Sequence, residues 1–127
     1  MTTITVRVGE AADLESFLAE RIYEFNAAAT GHDDAELFTA AHENGSGTDA
    51  GICGYTWGGC CFVSYLWVAE PSRGQGLGSE LLRAVENHAR TKRCRLVLLS
   101  SHSFQAPGFY ARRGYSQVAR VNDHPVG

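Results

Sequence analysis

The chain has 127 residues, 44% of them hydrophobic and 20% charged, a composition typical of one ordinary globular domain and not of a disordered chain. Its formal net charge of −3 gives no electrostatic reason to bind DNA or RNA, so we predict no nucleic-acid partner. The sequence shows no basic leader and no long apolar run, which predicts a cytoplasmic protein without a membrane partner.

The first half of the chain predicts a strand, a helix and then a meander of strands. Ile4, Val6 and Val8 alternate with polar residues, which is the period of a half-buried strand. Apolar residues then recur at intervals of three and four, which predicts an amphipathic helix over residues 11–27. Three further strands are predicted over residues 37–45, 50–57 and 60–68. The dipeptide Gly58-Gly59 indicates a tight hairpin between the last two.

The second half predicts a crossover from one strand to a parallel one. A second helix is expected from Gly74 to Thr91, followed by a continuous apolar strand over residues 94–100. A short helix holding Phe109 and Tyr110 and a weaker strand over residues 115–121 complete the chain. We therefore predict an α/β (α+β) fold with a mixed sheet, antiparallel at its start and parallel at the crossover, and helices on both faces.

The stretch RGQGLG, residues 73–78, lies where a predicted strand leads into the second helix. The first N–H groups of a helix have no intrahelical acceptor and carry partial positive charge, so this junction suits a phosphate, with Arg73 as a salt partner. A dinucleotide-binding fingerprint would need glycine at Ser79, and no lysine follows a glycine as a P-loop requires. The phosphate ligand therefore belongs to another class.

Two segments resemble the GNAT superfamily of acetyl-CoA-dependent N-acetyltransferases. Arg73, Gly76 and Gly78 match its [RQ]-x-x-G-x-[GA] pattern, and FYARRGY, residues 109–115, resembles its F-Y-x-x-x-G-[FY] segment. The resemblance implies that residues 1–127 form a single N-acetyltransferase domain with acetyl-CoA as cosubstrate. It also implies that the ends of strands 60–68 and 94–100 splay apart to form the slot for this cosubstrate.

The resemblance assigns acetyl-CoA binding to the strand end, the glycine loop and the short helix. In the family, the loop backbone holds the pyrophosphate and the strand backbone pairs with the pantetheine arm. The implied contacts are Leu66, Trp67, Val68, Arg73, Gly74, Gln75, Gly76, Leu77, Gly78, Ser79, Ser103, Ala106 and Tyr110. Ser103 stands where relatives often have asparagine, and because the serine side chain is shorter, its contact with CoA is expected to be weaker or to run through water.

The resemblance also implies which residues take part in catalysis. Tyr110 would donate a proton to the leaving sulfur as general acid, although a core aromatic beside Phe109 explains it as well. The main-chain N–H of Val68 would stabilise the oxyanion. Glu24 is a weak candidate for the general base.

Several alternatives stay open at this stage. Glu70 and His102 are two further candidates for the base, and each of the three candidates is equally explained as a solvated surface residue, with water as the proton acceptor. The four cysteines show no C-x-x-C spacing, so we expect no metal. A covalent mechanism through Cys60 or Cys61 is disfavoured, since neither has an adjacent histidine or a helix N-terminus. Trp67 and Tyr55 could line the acceptor pocket or belong to the core.

The function predicted is transfer of an acetyl group from acetyl-CoA to a small-molecule primary amine by direct attack. A non-catalytic module that binds acyl-CoA for regulation and an acetyltransferase that modifies proteins are the alternatives. Acidic residues at 24, 33 and 34 suggest a cationic acceptor, but a solvated loop explains them too.

The end of the chain differs from the family pattern. Relatives usually continue past a turn like NDHPVG into one more strand, whereas this sequence stops at Gly127. A bare last edge of the sheet would favour pairing with a second copy, so we predict a homodimer. The missing strand also leaves one wall of the acceptor pocket undefined.

Overall fold

A computed structural model describes residues 3–101 and 106–126 of the chain. Its four strands form one sheet in the order β1-β2-β3-β4, and a short 3-10 turn, Glu70–Ser72, leads from β3 toward the second helix. The elements in chain order are α1 (Ala12–Thr30), β1 (Glu36–Asn44), β2 (Gly47–Trp57), β3 (Cys60–Val68), α2 (Leu77–Thr91), β4 (Leu96–Leu98) and α3 (Pro107–Ala111).

The first three strands form the predicted antiparallel meander. Trp57 pairs with Cys60 across a two-residue hairpin in which Gly58 and Gly59 have φ of 57° and 82°. Positive φ at both central residues is the geometry of the turn that matches the twist of the flanking strands. The prediction from the Gly-Gly dipeptide is therefore confirmed.

The crossover from β3 through α2 to β4 is parallel, as predicted. Cys60 pairs with Leu96 and Phe62 with Leu98, and this pairing covers only three residues of each strand. The predicted strand over residues 94–100 is thus shorter than expected. The helix begins at Leu77 and not at Gly74, because the left-handed backbone of the preceding glycines is incompatible with an α-helix.

The core lies between α2 and one face of the sheet. The face of α2 that the sequence predicted is buried, and it packs against alternating residues of β2 and β3. The buried apolar residues are Ala50, Ile52, Cys61, Val63, Leu77, Leu81, Leu82, Val85 and Ala89. On the opposite face Tyr65 and Trp67 remain exposed.

Two β-bulges interrupt the sheet. The register of β1 and β2 shifts after His42, which leaves Asp49 without a partner residue in β1. The register of β2 and β3 shifts after Cys53, which leaves Ser64 without a partner in β2. A bulge bends its strand and re-aims the following side chains.

Two predicted strands are wrong. Residues 3–10 form no strand and Ile4, Val6 and Val8 are almost fully exposed, while residues 115–121 also run without strand pairing. Alternation supplies a face for burial, but a strand also needs the hydrogen bonds of a neighbour, and neither segment meets one in the described chain. The first predicted helix, by contrast, is present as α1, although none of its residues is buried.

In the described ranges no helix combines the length and the apolar character that a bilayer crossing requires.

Candidate active site

An opening in the sheet lies between the far ends of β3 and β4. The last pair of these strands is Phe62 with Leu98, and β3 then continues for six residues to Val68. The predicted splay is therefore present, and it arises because β4 ends while its neighbour goes on.

The register of β2 and β3 decides where the backbone groups of β3 point. Val68 pairs with Ala50, and the next N–H, of Ala69, donates to the Asp49 carbonyl across 2.7 Å. Because these groups alternate in direction along a strand, the N–H and C=O groups of Leu66 and Val68 face away from β2, toward the opening. The Val68 carbonyl accordingly accepts a hydrogen bond from outside the sheet, at 2.9 Å from Nε of the arginine at position 73.

The glycine loop follows at the mouth of this opening. Gly74 and Gly76 both have φ of 82°, and no atom lies within 4 Å of where a β-carbon would stand. These two glycines are thus required by the backbone conformation and not by crowding. The loop ends where the Glu80 N–H donates to the Gly76 carbonyl at 3.0 Å, the first bond of α2.

Six consecutive N–H groups of this loop, those of residues 74–79, find no acceptor within residues 3–101 and 106–126. No side chain caps the helix either. Unsatisfied amides at the start of a 15-residue helix, together with its dipole, form a site for an anion.

Gly78 also has a packing role that the sequence analysis did not predict. A β-carbon there would lie 3.2 Å from the ring of Phe109, so the missing side chain lets α3 pack against the first turn of α2. Arg113 secures this contact, because its guanidinium stacks 3.7 Å from the centre of the Phe109 ring, bonds the Phe109 carbonyl and donates to the Ser79 hydroxyl.

Tyr110, the predicted acid, lies beside Phe109, with the ring centres 5.1 Å apart. It contributes to the wall of a cavity of about 1810 Å³ that also contacts Leu98 of β4 and reaches residues 115–125. Burial raises the pKa of the Tyr110 phenol above its ordinary value. Its hydroxyl makes no hydrogen bond to the described part of the chain, so the proton is available to a ligand.

The candidate bases are scattered. Glu24 lies on exposed α1, where Arg21 holds both of its carboxylate oxygens at 2.6 and 3.0 Å. Glu70 is exposed in the turn after β3. His102 falls outside the described residues.

The remaining predicted contacts lie around the opening. Ala106 directly precedes α3, and its carbonyl accepts from the Phe109 N–H at 3.1 Å. Ser103 falls outside the described residues. Tyr55 stacks on Phe62 at 5.4 Å between ring centres, and Trp67 lies on the same face of the sheet, half exposed.

The cysteines are all free thiols. Burial raises the pKa of Cys61 to about 11 and also raises the pKa values of Cys60 and Cys94. The thiolate is the nucleophilic form, so these side chains are poor nucleophiles at neutral pH. Among the described residues no group of three or more potential ligands is close enough to hold a metal ion.

One polar cluster near the glycine loop was missed by the sequence analysis. Asp49, buried at the bulge in β2, accepts hydrogen bonds from His42 at 2.7 Å and from Ser72 at 3.0 Å. Its only signal in the sequence is a carboxylate directly before the buried residues of a strand. His42 and Ser72 become partners of Asp49 only through the register of the strands and the course of the turn after β3, and the sequence reveals neither.

Comparison with known proteins places this arrangement in a family. The chain matches the Acetyltransferase (GNAT) family over residues 7–115. A crystal structure of an acetyltransferase from Bacillus cereus superposes with a TM-score of 0.80 at 31% identity, covering 97% of this chain and 91% of that one.

Curated relatives agree. A blasticidin-S acetyltransferase of Streptomyces morookaense is 40% identical over 78 residues, which are 61% of this chain and 57% of that protein. The match thus spans little more than half the length of that relative. An acetyltransferase of Agrobacterium fabrum is 27% identical over 87% of this chain and 81% of its own length. The chain belongs to the acetyltransferase (GNAT) family.

Proposed function

We propose that this chain transfers the acetyl group of acetyl-CoA to a small-molecule primary amine by direct attack. The observation that carries this proposal is the row of unsatisfied amides at residues 74–79, next to the open edge of β3. The amides suit the pyrophosphate of acetyl-CoA, and the open strand edge suits its pantetheine arm, which carries amide groups.

The glycine loop supplies the binding energy for the pyrophosphate. A charge at a helix N-terminus gains only about 0.3–1 kcal/mol from the dipole, so the amides of residues 74–79 act together. Arg73 adds a positive charge, because its Nε bonds the Val68 carbonyl and holds the guanidinium at the loop. Leu66 then presents its main-chain groups to the pantetheine arm, as an added strand would use them, while the Val68 N–H is left for the thioester carbonyl.

The acyl transfer follows from the groups around the opening. The amine nitrogen attacks the thioester carbonyl carbon, and the Val68 N–H donates to the oxyanion that forms. The C–S bond then breaks, the sulfur takes the proton of the Tyr110 hydroxyl as it leaves, and the extra proton on the former amine nitrogen passes through water to the Tyr110 phenolate, which restores the acid. The ordinary tyrosine pKa of 10.0 is already above neutral pH and burial raises the pKa of Tyr110 further, so the phenol carries its proton at neutral pH.

The acceptor must lose a proton before it attacks. Making a lysine-like amine neutral at pH 7 costs roughly 4–5 kcal/mol, because its reference pKa is about 10.4. Glu24 could take this proton only after leaving its bidentate pair with Arg21. We therefore assign deprotonation to water at the open site, with Glu24 as the weaker alternative.

The acceptor class is a small molecule. One relative is named for blasticidin S, which supports an acceptor of this size. Exposed aromatic side chains on the free face of β2 and β3, namely Tyr55, Tyr65 and Trp67, offer flat surfaces for it.

We also propose a homodimer. β4 is the last strand of the described sheet, and residues 116–121 form no strand and are exposed. Free strand edges of this kind pair with copies of themselves. Light scattering coupled to gel filtration measures the mass directly, and a monomer at all concentrations contradicts this state.

Two measurements test the activity. Calorimetric titration with CoA should give one site per chain, and release of free thiol from acetyl-CoA should appear with some members of an amine panel. The panel should contain blasticidin S, polyamines, amino acids and lysine peptides. An absence of CoA binding overturns the proposal, whereas tight binding without thiol release on any acceptor supports a binding module. Release with peptides alone supports a protein-modifying enzyme.

A further inference from the structure

A buried carboxylate joins the start of the sheet to the base of the glycine loop. Asp49 is only 6% exposed, and its two oxygens accept from different elements: Oδ1 from Nδ1 of His42 on β1, and Oδ2 from the hydroxyl of Ser72 in the turn after β3. A buried charge persists in a protein only when such partners satisfy it.

The β-bulge explains why the carboxylate reaches this place. His42 pairs with Ala50 and Glu43 with Thr48, so Asp49 is the extra residue of β2. Regular alternation would put neighbouring side chains on opposite faces, yet Asp49 and Ala50 are both buried. The bulge therefore turns a carboxylate toward the turn that follows β3.

The same residue holds that turn at a second point. The Asp49 carbonyl accepts from the Ala69 N–H at 2.7 Å, and the Ala69 carbonyl accepts from the Ser72 N–H at 2.9 Å. Ala69, which directly precedes the turn Glu70–Ser72, and Ser72, its last residue, thus both bond to Asp49. Arg73 and Gly74 come next, so the orientation of the glycine loop depends on this attachment.

The charge state of the carboxylate fits this role. The hydrogen bond from His42 lowers the pKa of Asp49, outweighing the opposing effect of burial. The carboxylate is therefore ionised at neutral pH, and a bond from a hydroxyl to an ionised acceptor is stronger than one between neutral groups.

We propose that Asp49 is a positioning residue for acetyl-CoA, which fixes the glycine loop through Ser72 and is itself held by His42. This role rests on the proposed function, since it assumes that the loop binds the pyrophosphate. Asp49 does not touch the reacting atoms, and its loss should weaken acetyl-CoA binding more than it slows turnover.

Ser72→Ala and Asp49→Asn are the test variants, and Thr56→Val is the matched control. Ser72→Ala removes the single bond between carboxylate and turn, and Asp49→Asn removes the charge while keeping the shape. Thr56 is a buried hydroxyl residue on β2, 3% exposed, seven positions along the strand from Asp49. Its replacement changes a buried hydroxyl of the same strand without touching the turn.

We expect Ser72→Ala to raise the Kd for CoA and the KM for acetyl-CoA about tenfold, the lower end of what one hydrogen bond to a charged group contributes, with kcat nearly unchanged. Asp49→Asn should act in the same direction, and Thr56→Val should leave Kd and KM as they are. If Ser72→Ala and Thr56→Val lower the melting temperature alike and neither changes the Kd, the cluster is only structural and the proposal is overturned.

Amide exchange in the ligand-free protein separates this proposal from the proposed function. The N–H groups of Ala69, Ser72 and Arg73 are bonded within or beside the turn, so Ser72→Ala should speed their exchange relative to the wild type and to Thr56→Val. If the wild type binds no CoA, the proposed function fails while this exchange still decides whether Asp49 fixes the turn. Unchanged exchange overturns the positioning role.

Discussion

The two ends of β3 carry the same backbone groups, but their outer edges are satisfied in different ways. Over Cys60–Phe62, parallel pairing with β4 satisfies the edge. Within the described residues no strand lies alongside Leu66 and Val68. Of the backbone groups of these two residues that face the opening, only the Val68 carbonyl has a hydrogen-bond partner, which is Arg73. The opening in this sheet therefore exists because β4 ends earlier than β3, and it requires no special side chain on β3.

The open end has features that the paired end lacks. It adjoins the glycine loop and the turn that Asp49 bonds. At the paired end Cys61 is fully buried under α2, and Phe62 stacks on Tyr55 on the opposite face. The proposed function assigns binding and catalysis to the open end, so substitutions at the two ends should separate binding and catalysis from stability.

Tyr110→Phe should have the largest effect at the open end. Removing the phenolic proton takes away general acid catalysis, so kcat should fall about 100-fold while the Kd for CoA changes little. Because burial raises the pKa of Tyr110, the kcat of the wild type should fall only above the ordinary tyrosine pKa of 10.0, where the phenol ionises. The variant has no phenol, so this fall of kcat at high pH should be absent from its pH profile. Stopped assays of thiol release across pH measure both. A variant with wild-type kcat would remove Tyr110 from the mechanism.

Gly76→Ala should have the next largest effect, and Gly59→Ala provides a matched control. Both glycines have φ of 82° with no atom near the added β-carbon, so alanine strains the backbone equally, by about 1–2 kcal/mol. Only Gly76 lies in the loop that we assign to the pyrophosphate. We expect the Kd for CoA to rise about tenfold in Gly76→Ala and to stay constant in Gly59→Ala. Equal Kd values in both variants would contradict the assignment of the loop.

The sequence predicts well those features that local pattern determines. The buried face of α2 from Leu77 to Ala89, the Gly58-Gly59 hairpin and the left-handed glycines of the loop all follow from spacing and residue type. The parallel crossover follows as well, because a continuous apolar run after a helix has few other placements, although Leu96 and Leu98 lie exposed at the sheet edge.

Other features depend on neighbours that spacing does not reveal. Residues 3–10 alternate as regularly as β1 does, but only β1 meets a partner strand. The site of Asp49 depends on a one-residue shift in register, and the function of Gly78 depends on where Phe109 packs. Prediction fails here because tertiary contacts choose between local patterns of equal quality.

Gly78→Ala should give a smaller and different change from Gly76→Ala. Its backbone needs no positive φ, but the new methyl group would lie 3.2 Å from the Phe109 ring and push α3 away from α2. Tyr110 moves with α3, so kcat should fall roughly threefold, since small displacements of a catalytic group slow the reaction. The Kd for CoA should change less than kcat does. Steady-state kinetics beside calorimetry measures this ratio, and the reverse ratio would place Gly78 among the phosphate contacts only.

Cys60→Ala and Cys61→Ala, at the paired end of β3, should have the smallest effect on activity. Both thiols have raised pKa values, so neither is a thiolate at neutral pH, and direct transfer needs no cysteine. We expect kcat within about twofold of the wild type for each variant, while the loss of the fully buried Cys61 side chain lowers the free energy of unfolding by about 1 kcal/mol. Denaturant unfolding and thiol release measure the two quantities on the same samples. A kcat that collapses in one variant, with an acetylated chain detectable by mass spectrometry in the wild type, would replace direct attack by an acyl-enzyme mechanism and would assign catalysis to the paired end as well.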